Sequence, residues 1–234
     1  MIRISRHLSG ILNPVLDFIY PPVCPICDGV MTAYAPICSG CQLSIKNRMH
    51  LKHHFSQDFH HLKKPLFLDD VITFWEYFPG IEKAIHMIKY KDRKKLGALL
   101  GQWAAQTLRA AQMEQFNLIV PVPLHPRRLR ERGFNQSHIL AREISLHTDI
   151  PVALRILKRS KYTETQTLLS AEKRQENVYH AFDVRSPAKF ENQHILLVDD
   201  VITSGATVNS CAAACKAAGA ISVIGLGMAR PELL

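Results

Sequence analysis

Ile195-Leu196-Leu197-Val198-Asp199-Asp200-Val201-Ile202-Thr203-Ser204-Gly205-Ala206-Thr207 is the stretch from which the rest of the chain can be placed. It opens on a continuous apolar run, as in a strand covered on both faces. Two adjacent acids stand at the carboxyl end of that run, and a Thr/Ser/Gly turn then leads straight into a helix. In an open α/β sheet the ligand crevice lies outside the carboxyl ends of the strands. The amides of Thr203, Ser204, Gly205, Ala206 and Thr207, with the N-terminus of the helix, form a nest suited to a monophosphate. The hydroxyls add donors, and Gly205 lets a ligand approach the backbone closely. Carboxylates accept hydrogen bonds from a cis-diol, so Asp199 and Asp200 suit the 2′ and 3′ hydroxyls of a ribose 5-phosphate. A surface turn with a capping threonine would account for Thr203, but not for paired acids on a buried strand.

Strands and helices alternate on both sides of this stretch. Downstream, an alanine-rich helix over 206–218 stops at Gly219, and Ile221–Met228 is a final strand. Upstream, Val71–Tyr77 is rich in β-branched and aromatic residues and is expected as a strand. Ile81, Ala84, Ile85 and Ile88 recur at helical spacing, and a second helix follows from about Leu96 to Met113. Asn117–Val122 is a short strand, succeeded by a basic, proline-rich loop and a helix over about 135–147. Val152–Leu157 is a possible further strand, followed by a polar run. Strands separated by helices predict a doubly wound, parallel α/β sheet.

With 47% hydrophobic residues, 11 Gly and 13 Pro in 234, the chain is neither disordered nor collagen-like, and it is long enough to bury a sizeable core. Its net charge of +9 favours anionic partners. Between Arg127 and Lys161 nine basic residues face three acids, a net +6 within 35 residues. That concentration points to a phosphate-bearing ligand. No window is apolar enough to span a membrane, and residues 1–20 only faintly imitate a signal peptide, so a cytoplasmic protein is expected.

Cys24-Pro-Ile-Cys27 and Cys38-Ser-Gly-Cys41 are two pairs with the spacing of a structural zinc site. Two disulfides are the alternative, but nothing indicates an oxidising compartment. Cys211 and Cys215 lie four apart on one helix face and are expected to be buried packing residues. The division that follows is a lead-in over 1–20, the four-cysteine segment over 21–45, a polar, histidine-bearing linker over 46–65, and the main domain over 66–234.

The stretch 195–207 resembles the phosphoribosyl pyrophosphate (PRPP) motif of type I phosphoribosyltransferases. The wider chain resembles the competence-protein ComF family, also called the GntX family. It does so through the cysteine segment, Pro121-Val122-Pro123-Leu124-His125, Arg132-Gly133-Phe134-Asn135-Gln136-Ser137, Arg159 with Thr163, Thr165 and Gln166, then Arg174, Asn177 and Val178, and finally Ala229-Arg230. The resemblance implies a pyrophosphate loop carrying Arg127, Arg128, Arg130, Arg132 and Gly133. It also implies a mobile flap with Arg159, Lys161, Thr163 and Gln166. Asp199 and Asp200 become ribose-binding or catalytic acids. The implied chemistry is glycosyltransferase chemistry, displacement of pyrophosphate from PRPP with Mg²⁺, in a protein of DNA uptake and natural transformation. A non-catalytic protein that binds single-stranded DNA and keeps the PRPP site for sensing is the other reading, with DNA-uptake proteins as partners. Lys89 and Lys91 are further phosphate candidates, and any hood over the acceptor has to come from the N-terminal part.

Overall fold

Chain order in the computed structural model is α1 (Ser39–Asn47), β1 (Lys52–His54), β2 (Asp70–Glu76), α2 (Pro79–Tyr90), α3 (Lys94–Ala110) and β3 (Leu118–Pro121), then α4 (Pro126–Arg132), α5 (Gln136–Thr148), β4 (Leu157–Arg159), β5 (Phe182–Val184), β6 (His194–Val201), α6 (Ala206–Ala217) and β7 (Ser222–Arg230). The residues described are 21–31, 34–54, 56–59, 62, 65–113, 115–159 and 181–231. The lead-in over 1–20 and the flap residues Lys161, Thr163 and Gln166 lie outside them.

The main sheet has five strands in the order β1-β2-β7-β6-β3. β2, β7, β6 and β3 run parallel, and β1 closes one edge antiparallel to β2. The continuous apolar run of β6 is explained by two cores, one on each face. Leu196 and Val198 join Ile72, Phe74, Ile81, Leu100, Trp103 and Leu140 on the side of α2, α3 and α5. Ile195 and Leu197 join Val120, Val208, Cys211 and Val223 on the side of α6. Each such buried aliphatic side chain contributes about 1.5–3 kcal/mol, which is why Ile195–Val198 carries no polar residue. The expected helical spacing appears in α2, which buries Ile81, Ala84, Ile85 and Ile88. Gly225 of β7 lies under α6, and a Cβ there would come within 2.9 Å of Val208 Cγ1. The missing side chain therefore sets how closely that helix seats on the sheet.

Three expectations change. The stretch 46–65, expected as a weakly ordered linker, carries β1 and two buried anchors, Phe59 and Leu62. Two of its histidines, His53 and His54, are structural. His54 is buried with Nε2 2.8 Å from Thr73 Oγ1, and His53 Nδ1 is 2.6 Å from Asp70 Oδ2. Burial, and then the charge of Arg230, push the His54 imidazole down to about 4. The basic loop after β3 is mostly helix, because Pro126 opens α4, His125 Nδ1 accepts from the Arg127 amide, and Gly133 ends it in the left-handed conformation. Val152–Leu157 is not one strand. Val152 makes a single bridge to Ile119, while β4 pairs with β5 in a separate two-stranded sheet.

The four-cysteine segment packs on the main domain. Cys24, Ile37 and Ile45 belong to the same core as Trp75, whose indole Nε1 donates to Ile45 O at 2.9 Å.

Candidate functional site

β6 ends its apolar run with Asp199 and Asp200, as the sequence predicts, at the carboxyl edge of the sheet. Ser137, in the first turn of α5, donates from Oγ to Asp199 Oδ1 at 2.9 Å. The Asp200 amide donates to the same oxygen at 2.9 Å. The Val201 amide reaches Asp200 Oδ1 at 2.9 Å, and the Lys89 ammonium lies 2.7 Å from Asp200 Oδ2. Burial, reinforced by the charge of Asp200, pushes the Asp199 carboxyl up to about 7; the Asp200 amide, Ser137 and Lys89 offset part of that rise. At neutral pH this acid is poised between its two protonation states.

The adjoining turn is held from two sides. Ile202 donates its amide to Ala229 O, fixing the exit of β6 against β7. Gly205 precedes α6 with φ +76°, and a Cβ there would meet the Phe59 ring at 2.7 Å. A side chain at this position is excluded twice, by backbone conformation and by space. Phe59 is in turn covered by Arg230, whose guanidinium lies 4.4 Å from the ring centroid and donates to Asp58 O at 3.0 Å. Inside α6, Asn209 accepts from the Phe67 amide at 2.7 Å, tying the helix to the chain that enters β2. The residues packed on the turn therefore precede β2 and follow the cysteine segment.

The four arginines expected in the pyrophosphate loop are dealt to different places by α4. Arg128 and Arg132 line a cavity of about 360 Å³ with Lys89, Tyr90 and Phe134. Arg130 and Gly133 line another, of about 650 Å³, together with Arg159. Arg127 pairs with Glu131 along the helix at 3.0 Å. Arg132 donates to Gln136 Oε1 and lies 5.2 Å from the Tyr90 ring centroid. The field here is positive. Burial lowers the His125 imidazole, and Arg159, Arg130, Arg128 and Arg127 lower it further. Arg159, the described member of the expected flap, lies 5.5 Å from the Phe182 ring centroid. Its guanidinium is lowered by burial first and then by Arg128, with Asp199 acting in the opposite sense, so it sits within the field of the acid pair.

Two residues at the acids escaped assignment from sequence. Ser137 carried only the resemblance, although an Asn-x-Ser at a helix start is a capping signal. Asn135 is that cap. Its Oδ1 accepts from the Ser137 amide at 3.0 Å, and its Nδ2 donates to Val122 O at 2.9 Å, so one side chain fastens α5 to the end of β3. Lys89 had a signal for phosphate but none for pairing with Asp200. Lys91 is exposed.

Cys24, Cys27, Cys38 and Cys41 come together, with all four sulfurs within 4.8 Å of one another. Cys27 and Cys38 Sγ are 3.7 Å apart. A tetrahedral site with bonds of about 2.3 Å requires sulfurs about 3.8 Å apart, so the cluster fits a zinc-sized ion. The Cys38 amide points at Cys24 Sγ from 3.4 Å. Burial raises the Cys24 thiol, but the amides of Cys38, Cys27 and Ile26 outweigh it and bring it down to about 6, whereas burial and the neighbouring thiols push Cys41 up. Cys211 and Cys215 are buried in the α6 core instead. No helix of the described residues is long and apolar enough to cross a membrane.

Residues 90–226 match the phosphoribosyl transferase domain family. Competence protein F of Haemophilus influenzae is 32% identical over 205 residues, covering 82% of this chain and 90% of that protein. DNA utilization protein YhgH of Escherichia coli K12 is 32% identical over 166 residues, covering 69% of this chain and 72% of the relative. Competence protein ComFC of Bacillus subtilis is 26% identical over 192 residues, with coverage of 81% and 70%. An acid pair on a buried parallel strand, the turn behind it, the cysteine cluster and these matches agree: the chain belongs to the competence protein F family of phosphoribosyl transferase-domain proteins.

Proposed function

We propose that the chain binds PRPP at the carboxyl edge of β6 and β7 and acts in DNA uptake. The observation that carries this reading is the juxtaposition of Asp199 and Asp200 with the Thr203–Thr207 turn at the start of α6. The turn and Gly205 take the 5-phosphate, and the acids take the ribose hydroxyls. Ser137 and Lys89 hold the two carboxylates in place. The exposed arginines of α4, with Arg159, face the pyrophosphate. If the ligand is turned over, the bond from C1 to the pyrophosphate oxygen breaks as a nucleophile attacks C1, and the nucleophile loses a proton. The chain's part is to hold C1 and the leaving group in place and to offer cations to the departing oxygens. Mg²⁺, arriving on the pyrophosphate, supplies charge neutralisation there. Zinc on the four cysteines completes the proposed cofactor set. The names of the relatives, competence and DNA utilization, support the wider role.

Calorimetry with PRPP and Mg²⁺ tests the reading. Binding by the native chain is expected, with loss in a folded Asp199→Asn/Asp200→Asn variant; unchanged affinity there overturns it. Pyrophosphate release in the presence of nucleobases and other amines then separates turnover from binding.

Single-stranded DNA is the second reading, favoured by Arg128 and Arg130 exposed on opposite sides of α4. Affinity for a single strand is then expected to fall steeply with salt. Reversing the charge of Arg127, Arg128 and Arg130 is expected to flatten that slope by about 0.7 for each phosphate no longer neutralised. Absence of binding at about 150 mM salt, near physiological ionic strength, removes this reading.

A further inference from the structure

The turn to which the 5-phosphate is assigned carries no cation of its own. From Asp199 to Thr207 the sequence has no Lys or Arg, and two carboxylates lead into the turn. Amides and hydroxyls can satisfy the oxygens of a phosphate, but nothing in this stretch answers its charge. The Lys89 ammonium is already engaged by Asp200 at 2.7 Å.

Behind the turn stands a cation with nothing to balance it. Arg230, the last residue of β7, is only 7% exposed. Its Nη2 donates to Asp58 O at 3.0 Å, while its Nη1 is buried and has no hydrogen-bond partner among the described residues. Buried charges are ordinarily paired, and a buried N–H without an acceptor is costly. The groups that face this guanidinium leave its charge uncancelled. Asp58 offers a carbonyl at contact and its carboxylate only at longer range. The His54 ring of β1 is held neutral by burial and by Arg230 itself, and Glu76, the strand neighbour of Arg230, is paired with Lys52.

The same place in the chain touches the turn twice. Ala229 O accepts from the Ile202 amide at 3.1 Å. The Phe59 ring, 4.4 Å from the Arg230 guanidinium, would stand 2.7 Å from a Cβ on Gly205. One side chain therefore separates the unbalanced charge from the glycine at the mouth of the nest. Phe59 and its neighbour Leu62 are both buried, so the gap is apolar. A charge acts across such a gap far more strongly than through water.

We propose that Arg230 is a positioning residue for the 5-phosphate: it holds Phe59 against the Gly205 turn and supplies, from behind that ring, the positive charge the turn lacks. The anion that balances this buried guanidinium is the ligand's phosphate rather than an acid of the chain. The inference rests on the reading of the turn as the phosphate site, and it names the group that makes the site prefer a dianion.

Calorimetry of the full chain with ribose 5-phosphate as probe, and ³¹P NMR of the bound phosphate between about pH 5 and 8, test it. Arg230→Met is expected to bind ribose 5-phosphate about tenfold more weakly, the order of one charge acting across a low-dielectric gap. The second ionisation of the bound phosphate is expected to move up by about half a pH unit, because the monoanion loses half as much as the dianion. Arg230→Lys keeps the charge and is expected to stay within about threefold of the native chain; it keeps the test open if Arg230→Met melts early. A role in packing alone would weaken both variants and leave the ionisation where it is. The proposal is overturned if Arg230→Met binds as the native chain does, if Arg230→Lys loses as much as Arg230→Met, or if the ionisation does not move. In each of those cases the native chain still binds, and the reading of the turn stands. A native chain that binds no ribose 5-phosphate overturns that reading, and this inference with it.

Discussion

Asp199 and Asp200 are adjacent in sequence and chemically identical, yet the fold gives them different neighbours. Asp200 is buried with the Lys89 ammonium at 2.7 Å, whereas Asp199 is half-buried and has a serine hydroxyl at 2.9 Å instead of a cation. A raised carboxyl has a definite consequence for stability. The Asp199 value is about 7 in the folded chain against about 4 when unfolded, so the native state holds a proton that the unfolded chain has released. That stabilisation is fully present below about pH 4 and is lost as pH rises through 7. Denaturation midpoints measured from pH 5 to 8 are therefore expected to fall through this group, and Asp199→Asn to flatten the decline. Ligand hydroxyls need the ionised acid. PRPP affinity is accordingly expected to rise between pH 6 and 8, with proton release seen in buffers of different ionisation enthalpy. Lys89→Met leaves the Asp200 carboxylate, whose side chain is only 9% exposed, without its cation. Loss of about 2–3 kcal/mol is expected in urea unfolding, below the roughly 3–5 kcal/mol of fully buried pairs because Lys89 is itself partly exposed.

At the scale of elements, the site depends on how closely α6 lies on β7 and on which way α4 turns its arginines. Gly225→Ala puts a methyl 2.9 Å from Val208 Cγ1, a side chain held in the core. A cost of about 1–3 kcal/mol follows from overpacking. Val208→Ala in the same chain makes room, so the double variant is expected to be less destabilised than the sum of the two single changes. Additive losses in thermal melts would mean that this approach does not set the helix position. α4 itself had its signals in plain view, with Pro126 at its start and Gly133 at its end. They were masked by the run of arginines, which read as a phosphate loop. β1 was hidden for the opposite reason: Lys52-His53-His54 has no apolar alternation, and its pairing is supplied by β2, through Lys52–Glu76 and His53–Asp70.

Across the whole molecule, the cysteine segment is joined to the main domain by a shared core. Ile37 and Ile45 are buried with Phe74 and Trp75, and Lys83 of α2 pairs with Asp28 at 2.9 Å. Metal analysis is expected to give about one zinc per chain. Removing it with a chelator is expected to lower the melting temperature of the entire chain in one transition, since the segment's side chains fill part of the main core. A chelated protein whose main transition is unmoved would show the segment to be an independent appendage.

What the sequence determined by itself was local and periodic. The apolar run of β6 with the acids at its end and the turn behind them, the amphipathic spacing of α2, and the twin cysteine pairs are each contained in one short stretch of chain. Their chemistry follows from backbone geometry that any such stretch adopts. What only the tertiary structure decided was long-range pairing. Ser137 meets Asp199 across 62 residues, and Lys89 meets Asp200 from the far side of the sheet crossover. Phe59 backs Gly205, and Arg230 covers Phe59. Such contacts are set by strand order, here β2-β7-β6-β3. Strand order is not written in any single segment, because it is selected by burying both faces of the sheet at once.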